Sequence, residues 1–385
     1  GATIEAARDV VLSAAAAAGD AIGPMRGRPT ELSGDRTSRL AELTDKVTAW
    51  LGGEDPRSGR ALSPSMLALD LATSAGLRPW DGAEAIRMMG GSHAASDYSI
   101  ALEGAVSNQV ARRMEQRMPD LATVSHRIDR DDYRAGNLLS LSAAGMPEAV
   151  SESGEIKHVT IEEAGEALPV VEDYASMYRI SNKALANDRT AARLFDQLTA
   201  HMVEGAVERL RAELIRPLEL NGGAGQTMSD GLAVFHADHG NLAGTGGALS
   251  IETIGAARAA MRAQRGPAGE IRNIEPSAIV VAPKNETLAE QLVAQITPAT
   301  FEGANPFSGR LRVVVEPGLA DADAWYVVAD PQRFDGLAHA FLDGQAAPRV
   351  EMREGWETLG SEWRLVWPLG TGFVEWRSWY RNAGA

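Results

Sequence analysis

The spacing of apolar residues divides the chain into a helical beginning, a polar ribbon, one long rod and a strand-rich end. Ala2 to Ala18 places Ile4, Ala7, Val10, Val11 and Ala14 on one face, and Gly19 stops it. Thr37 to Leu51 repeats the pattern with Leu40, Leu43, Val47 and Leu51, and Met66 to Ala75 follows a Ser63-Pro64-Ser65 cap and ends at Gly76. Polar connectors containing Gly and Pro, Gly23 to Arg36 and Gly52 to Leu62, separate these helices. None carries a wide stripe of large apolar residues, which predicts short helices on extended connectors rather than an independent domain. Ser96-Asp97-Tyr98 opens a longer helix through Met114 or Arg117, with Leu102, Val106, Val110 and Met114 at helical spacing. From His126 to Arg134 the pattern alternates, as a charged strand does.

Glu152 to Ser181 mixes polar and apolar residues with little bulky apolar content, the pattern of a β-hairpin solvated on both sides. Such a ribbon has no core of its own and is marginal in water, so it needs a partner surface, expected on another copy of the chain. It runs into the clearest helix of the sequence, Thr190 to Arg216. There Leu194, Leu198, Met202, Ala206, Leu210 and Leu214 fall in line, Asp188 stands at the cap position and Pro217 is the expected stop. At 1.5 Å per residue this is a rod of about 40 Å, a spine more than a layer.

A Gly-rich loop, Asn221 to Asp230, leads to Gly231-Leu-Ala-Val-Phe-His-Ala-Asp-His-Gly-Asn-Leu242. A second, βα-patterned region follows: a helix from Ile251 to Ala263, a buried strand Ser277 to Ala282, a helix Asn285 to Ile296, and strands Leu311 to Val315 and Trp325 to Ala329. The tail, Arg349 to Arg353, Glu362 to Trp367 and Phe373 to Tyr380, reads as aromatic-rich antiparallel strands expected to return to the spine.

Composition narrows the function. The chain has 385 residues, 44% of them hydrophobic, as in ordinary globular proteins. No apolar run reaches the roughly 18 residues of a membrane span, and the start does not read as a signal peptide. Cysteine is absent, which excludes disulfides, thiolate nucleophiles and Cys-ligated zinc. A net charge of -15 argues against a general nucleic-acid binder. Lysine occurs only at 46, 157, 183 and 284, so most positive charge sits on arginine, whose fixed fork suits ion pairs at subunit contacts; coding bias gives the same skew.

Candidate chemistry is sparse. His236-Ala-Asp-His239 offers two imidazoles and a carboxylate, but a metal centre needs further ligands and supporting bonds, and the segment is read as a structural turn. Gly370-Thr-Gly372 and Gly222-Gly-Ala-Gly225 lack the strand-to-helix context and Lys-Ser/Thr of a phosphate cradle. Glu152, Glu155, Glu162, Glu163 and Glu166, on a polar ribbon, are read as solvated charges or partners for a neighbour's arginines, not as general acids. Trp356, Trp363, Trp367, Trp376 and Trp379 have little basic interleaving, which favours a packed strand core over a single-stranded nucleic-acid platform. No catalytic, cofactor-binding or metal residues are assigned.

The order of these parts resembles the major capsid protein of tailed phages, the fold first defined in phage Hong Kong 97. More closely it resembles the Mu-like major head subunit and the coat moiety of prohead protease-capsid fusions. Five stretches carry the likeness: Ser92-His-Ala-Ala-Ser-Asp-Tyr98, Glu152-Ser-Gly-Glu-Ile-Lys-His158, Tyr178-Arg-Ile-Ser-Asn-Lys-Ala-Leu-Ala-Asn-Asp188, Asp230 to Leu242 with its Phe-x-x-x-His-Gly-Asn-Leu turn, and Glu375-Trp-Arg377. They cover Glu84 to Ala385 in matching order. Residues 1–83 are more loosely similar to the segment between protease and coat in the fused genes. No Gly-x-Ser-x-Gly elbow is found, so the chain reads as the coat alone, and Gly1 fits cleavage by a prohead protease, as it also fits a choice of numbering.

The resemblance implies an α+β fold of Hong Kong 97 type: a helical N-terminal arm and linker (1–90), the start of a peripheral domain (91–138), an extended hairpin loop (139–180), the peripheral domain with its spine helix (181–250), an axial domain (251–345) and terminal peripheral strands (346–385). It implies a non-enzymatic virion protein, assembled in the host bacterial cytoplasm into hexamers and pentamers of an icosahedral shell around double-stranded DNA. Portal, decoration proteins and prohead protease are its implied partners, with no cofactor and no membrane. Assembly contacts are expected on the hairpin at Glu152, Glu155, Lys157, Glu162, Glu163 and Tyr178, and in the spine and turn at Asp188, His236 and His239. Some shells of this fold join a hairpin lysine to an asparagine of another subunit, and Lys157 is the only lysine of this ribbon. The alternatives are a non-viral nanocompartment shell of the same fold and, more remotely, a metal-dependent enzyme using His236, Asp238 and His239.

Overall fold

The computed structural model describes residues 44–45, 48, 78, 80, 93–141, 163–181, 188–266, 269–294, 310–354 and 360–385. The helices expected within residues 1–76 lie outside these, apart from Thr44, Asp45 and Thr48, which are helical. The chain divides into two compact units, one of residues 1–117, 174–206 and 347–367, the other of 118–173, 207–346 and 368–385.

In the first unit, α1 (His93–Gln116) begins three residues before the expected Ser96 and buries Val106, Val110 and Met114, the row its spacing predicted. β4 (Glu172–Ser181) and α2 (Asp188–Glu219) enter this unit through residues 174–206, where Leu198, Met202, Val203 and Ala206 are buried. β9 (Arg349–Glu354) pairs antiparallel with the first part of β10 (Gly360–Phe373), Ser361 opposite Glu354 and Val366 opposite Arg349. Trp363, Leu365 and Trp367 alternate inward from β10 and are buried, the strand core that the tail's pattern implied. β4 lies so close to β10 that a Cβ at Gly360 would stand 2.3 Å from the Ile180 carbonyl oxygen. Arg113 bridges α1 to α2 through the Asp196 carboxylate and, at 2.9 Å, the Thr199 hydroxyl.

In the second unit, β1 (His126–Arg130) runs parallel to β8 (Leu337–Leu342), which pairs antiparallel with Leu369 to Phe373 of β10. The sequence pattern does not single out β8. Its first five residues are all buried, so it lacks the alternation that marks a half-exposed strand, and Ala338, His339 and Ala340 dilute its apolar run. A four-stranded sheet has the order β11-β7-β5-β6, from β5 (Pro276–Val281), β6 (Arg312–Val315), β7 (Trp325–Ala329) and β11 (Trp379–Asn382). β5 and β6 are parallel, with α4 (Glu286–Val293) in the connection, as the βα pattern predicted; β7 is antiparallel to β5. Ile254, Ala257 and Met261 of α3 (Ile251–Ala263) pack with Ile279, Val281, Trp325 and Val327 into one apolar core. Ser250 caps α3 in a capping box with Thr253.

Three expectations change. Pro217 does not stop the spine: α2 contains it and reaches Glu219. Proline cannot donate to the Glu213 carbonyl one turn back, and the Thr371 hydroxyl donates to that oxygen instead, at 2.6 Å. The helix ends where Asn221 and Gly222 take positive φ, 54° and 67°. The hairpin is also paired differently. Its described arms are β2 (Asn137–Leu141) and β3 (Glu163–Ala167), Asn137 opposite Ala167 and Leu141 opposite Glu163, while Glu172 to Ser181, read as part of the ribbon, joins β10 as β4. Finally, Phe373 to Tyr380 is not one strand, because a turn separates β10 from β11.

Candidate functional site: the histidine turn

Within the second unit, two of the short motifs meet although 135 residues separate them. After Phe235, the turn 236–241 folds on itself: the His239 amide donates to the His236 carbonyl and the Gly240 amide to that of Ala237 (3.1 and 2.9 Å). Gly240 has φ +65°, which a side chain would strain. Asn241 is the keystone. Its amide nitrogen donates to the carbonyls of Val234 and Trp376 (2.8 and 3.2 Å), and its side-chain oxygen accepts from the His236 amide (3.2 Å). Its own carbonyl accepts from the Arg381 amide at 2.9 Å, which ties the turn to β11.

His239 is buried, with Nδ1 2.9 Å from the Val234 carbonyl oxygen and Nε2 2.7 Å from Asp230 Oδ2. Its ring stacks on Trp376, with centroids 4.1 Å apart and planes 6° off parallel. The Arg377 guanidinium also lies over Trp376 at 4.1 Å. Arg377 is fixed in turn by Glu375 Oε1 at 2.8 Å and by the Arg265 carbonyl at 2.7 Å. Glu375 Oε1 also accepts from the amides of Trp376 and Arg377, forming the turn that interrupts the expected strand. Burial alone would raise the Asp230 pKa, but the Leu232 amide and His239 outweigh it and hold the carboxyl below its ordinary value. Phe235 packs against Tyr326 and edge-on against Phe373, with centroids 5.5 and 6.0 Å away.

Among the described residues no three His, Asp or Glu side chains are grouped so that they could hold a metal ion. Both nitrogens of His239 already face protein oxygens, and the His236 ring, 6.1 Å away, turns Nδ1 toward the Asp238 amide at 3.2 Å.

Of the other singled-out residues, Glu152, Glu155, Lys157 and Glu162 lie outside the described residues. Glu163 opens β3 opposite Leu141, and Asp188 opens α2. Tyr178, on β4, is half-buried, and its hydroxyl would lie 3.4 Å from a Cβ placed at Gly205 of α2. The structure brings His236, His239 and the Glu375-Trp-Arg377 motif together. Sequence reasoning missed Glu362, which is buried between Arg179 (2.7 Å) and Arg353 (2.8 Å) in the first unit. It also missed Ser125 and His339, a buried pair 2.8 Å apart in the second. The pairings of Arg179 with Glu362 and of Ser125 with His339 leave no local signal, since the partners stand 183 and 214 positions apart.

The imidazole, carboxylates and guanidinium of this joint are engaged in fastening chain segments to one another. The sequence model of a family described as phage capsid protein matches residues 165–382, more than half of the chain, and the chain belongs to that family. It is a shell-forming capsid protein. Among solved structures, one from Mycobacterium phage Adephagia is similar at 11% identity and a TM-score of 0.43, over 66% of this chain and 83% of that one. One from Mycobacterium phage Ogopogo has 17% identity and a TM-score of 0.40, over 68% and 90%. The virus-like particle from Pyrococcus furiosus has 9% identity and a TM-score of 0.41, over 72% and 97%. No curated protein sequence matches the chain.

Proposed function

We propose that this chain is the major capsid protein of a tailed phage, of Hong Kong 97 type and similar in its motifs to the Mu-like head subunits and the coat moiety of prohead protease-capsid fusions. It builds the icosahedral shell, in hexamers and pentamers, around double-stranded DNA. The observation that carries the reading is the β2–β3 pair: two antiparallel arms, Asn137–Leu141 and Glu163–Ala167, bracket the motif at 152–158. An antiparallel strand pair in front of a 32-residue helix agrees with the combination that the resemblance implies. In this reading the hairpin lies across a neighbouring subunit, with Glu152, Glu155, Lys157, Glu162, Glu163 and Tyr178 among its contacts. The 251–345 region forms the axial domain, and α2, opened by Asp188, is the peripheral spine. The histidine turn with His236 and His239 locks that spine's sequel to the terminal strands. Portal, decoration proteins and a prohead protease are the further partners. The acidic balance keeps packaged DNA from adhering to the inner wall.

Electron microscopy of the expressed chain tests the reading. Closed shells are expected, and shells assembled in infected cells should contain DNA. Soluble monomers under every condition of salt and concentration would sink it, and shells filled with protein cargo in place of DNA would favour a nanocompartment.

A further inference from the structure

A small cleft of about 80 Å³ in the second unit is lined by Arg272, Arg333, Phe334, Asp335, Glu375 and Arg377, among others. Its arginines are not equivalent. Arg377 is neutralised by Glu375 at 2.8 and 3.1 Å. Arg272 is held more loosely: it is ion-paired with Glu270, Oε1 standing 3.5 Å from Nε, but its Nε and Nη2 are shielded from solvent and make no hydrogen bond among the described residues. Arg333 is exposed, with its guanidinium 5.8 Å from the Phe334 ring centre, and makes no ion pair among the described residues. One exposed carboxylate, Asp335, also lines the cleft, 3.7 Å from His126 Nε2. One loosely paired arginine and one arginine without an ion pair among the described residues thus line the same small cleft. A planar fork with free N–H groups is suited to bind a carboxylate through paired, charge-assisted bonds.

We propose that the cleft between Arg272 and Arg333 receives a carboxylate side chain from a second copy of this chain. The assignment rests on the shell-forming function. The source follows from charge: the chain carries 52 Asp and Glu against 37 Lys and Arg, so an arginine site facing a like copy meets carboxylates in excess. The net charge of -15 meanwhile repels the polyphosphate backbone of nucleic acid. The contact acts in assembly, where it fixes register and weakens with salt.

The test uses the full chain and the variants Arg272→Gln, Arg333→Gln and the double variant, with assembly followed by light scattering and sedimentation. The unassembled variants should melt as the wild type does, which separates lost contact from lost fold. The double variant should raise the concentration for half-maximal assembly about tenfold, and Arg333→Glu should raise it further than Arg333→Gln. Inorganic phosphate should inhibit wild-type assembly more than chloride at equal ionic strength, and the double variant should lose that difference. Unchanged assembly of the double variant would overturn the proposal. Phosphate binding to the isolated chain that the variants abolish without any effect on assembly would also overturn it, by assigning the cleft to a free or nucleic-acid phosphate. Absence of shells from the wild type would instead refute the capsid function itself.

Discussion

The four-stranded sheet of the second unit and the β9–β10–β4 strands of the first are stabilised by different physics. In the former, Ala278 to Val281 and Trp325 to Ala329 are buried without a charged residue among them. Removal of apolar surface from water holds these strands, and neither salt nor moderate pH alters that much. In the latter, β10 buries Trp363 and Trp367 but also places the Glu362 carboxylate, 6% exposed, between the outward-reaching guanidiniums of Arg179 and Arg353, 51% and 70% exposed. That pairing responds to solvent. One region is therefore set by shape and the other is adjustable, which is useful where a subunit must hold its fold while its surroundings change.

The comparison breaks most readily at Trp325. It is fully buried, and its Nε1 donates to the Gly247 carbonyl at 3.0 Å, so Trp325→Ala opens a large cavity and leaves that carbonyl without its donor. A loss of about 3–5 kcal/mol is expected in urea unfolding of the unassembled chain. A loss below about 1 kcal/mol would show that the sheet is not the chain's principal core.

The next effect comes from His339, a polar group inside an otherwise apolar strand. Burial, reinforced by the nearby charges of Arg127 and His126, pushes its pKa down from 6.5 to about 4. The fold thus favours the neutral ring, whose Nδ1 stands 2.8 Å from the Ser125 hydroxyl. The unfolded chain takes up the proton first. Stability is therefore complete above about pH 6.5 and declines by about 3 kcal/mol as pH falls to 4. Urea midpoints between pH 7.5 and 4 should show this decline, and His339→Gln should flatten it. An equal slope in the variant would move the acid sensitivity elsewhere.

How much of this was legible in the sequence follows the same division. Wherever burial decides, periodicity was enough: α1, α2, α3, β5 and β7 lie within a few residues of their expected places, and the buried tryptophans Trp363, Trp367 and Trp379 are where the tail's pattern put them. Where partners distant in sequence decide, it was not. Pro217 reads as a stop unless Thr371 is known to satisfy the orphaned carbonyl, and β8 is hidden because burial on both faces removes its alternation. The boundary between ribbon and sheet was lost because β4 alternates like a solvated hairpin strand, with Ile180 alone buried among its ten residues. The histidine turn stood out as a motif, but that it is locked to Glu375-Trp-Arg377 depends on Asn241, whose role appears only in three dimensions.

The smallest expected effect sharpens the contrast at Glu362. Arg353 first, and then Arg179, hold its carboxyl below the ordinary glutamate value of 4.5. The folded chain therefore favours the ionised form: the contribution is complete above pH 4.5 and fades as pH falls through the depressed pKa. Because both guanidiniums reach into solvent, much of the attraction is screened. The Arg179→Gln, Arg353→Gln double variant should lower the urea midpoint slightly at low ionic strength. In about 1 M NaCl, where the screening length is only a few ångströms, it should become indistinguishable from the wild type. A loss that persists in high salt and rivals that of Trp325→Ala would mean that Glu362 behaves as a buried charge stripped of its partners. The first unit would then be held by a desolvated ionic core, and the proposed contrast with the apolar sheet would lie in the kind of interior each has, not in its openness to solvent.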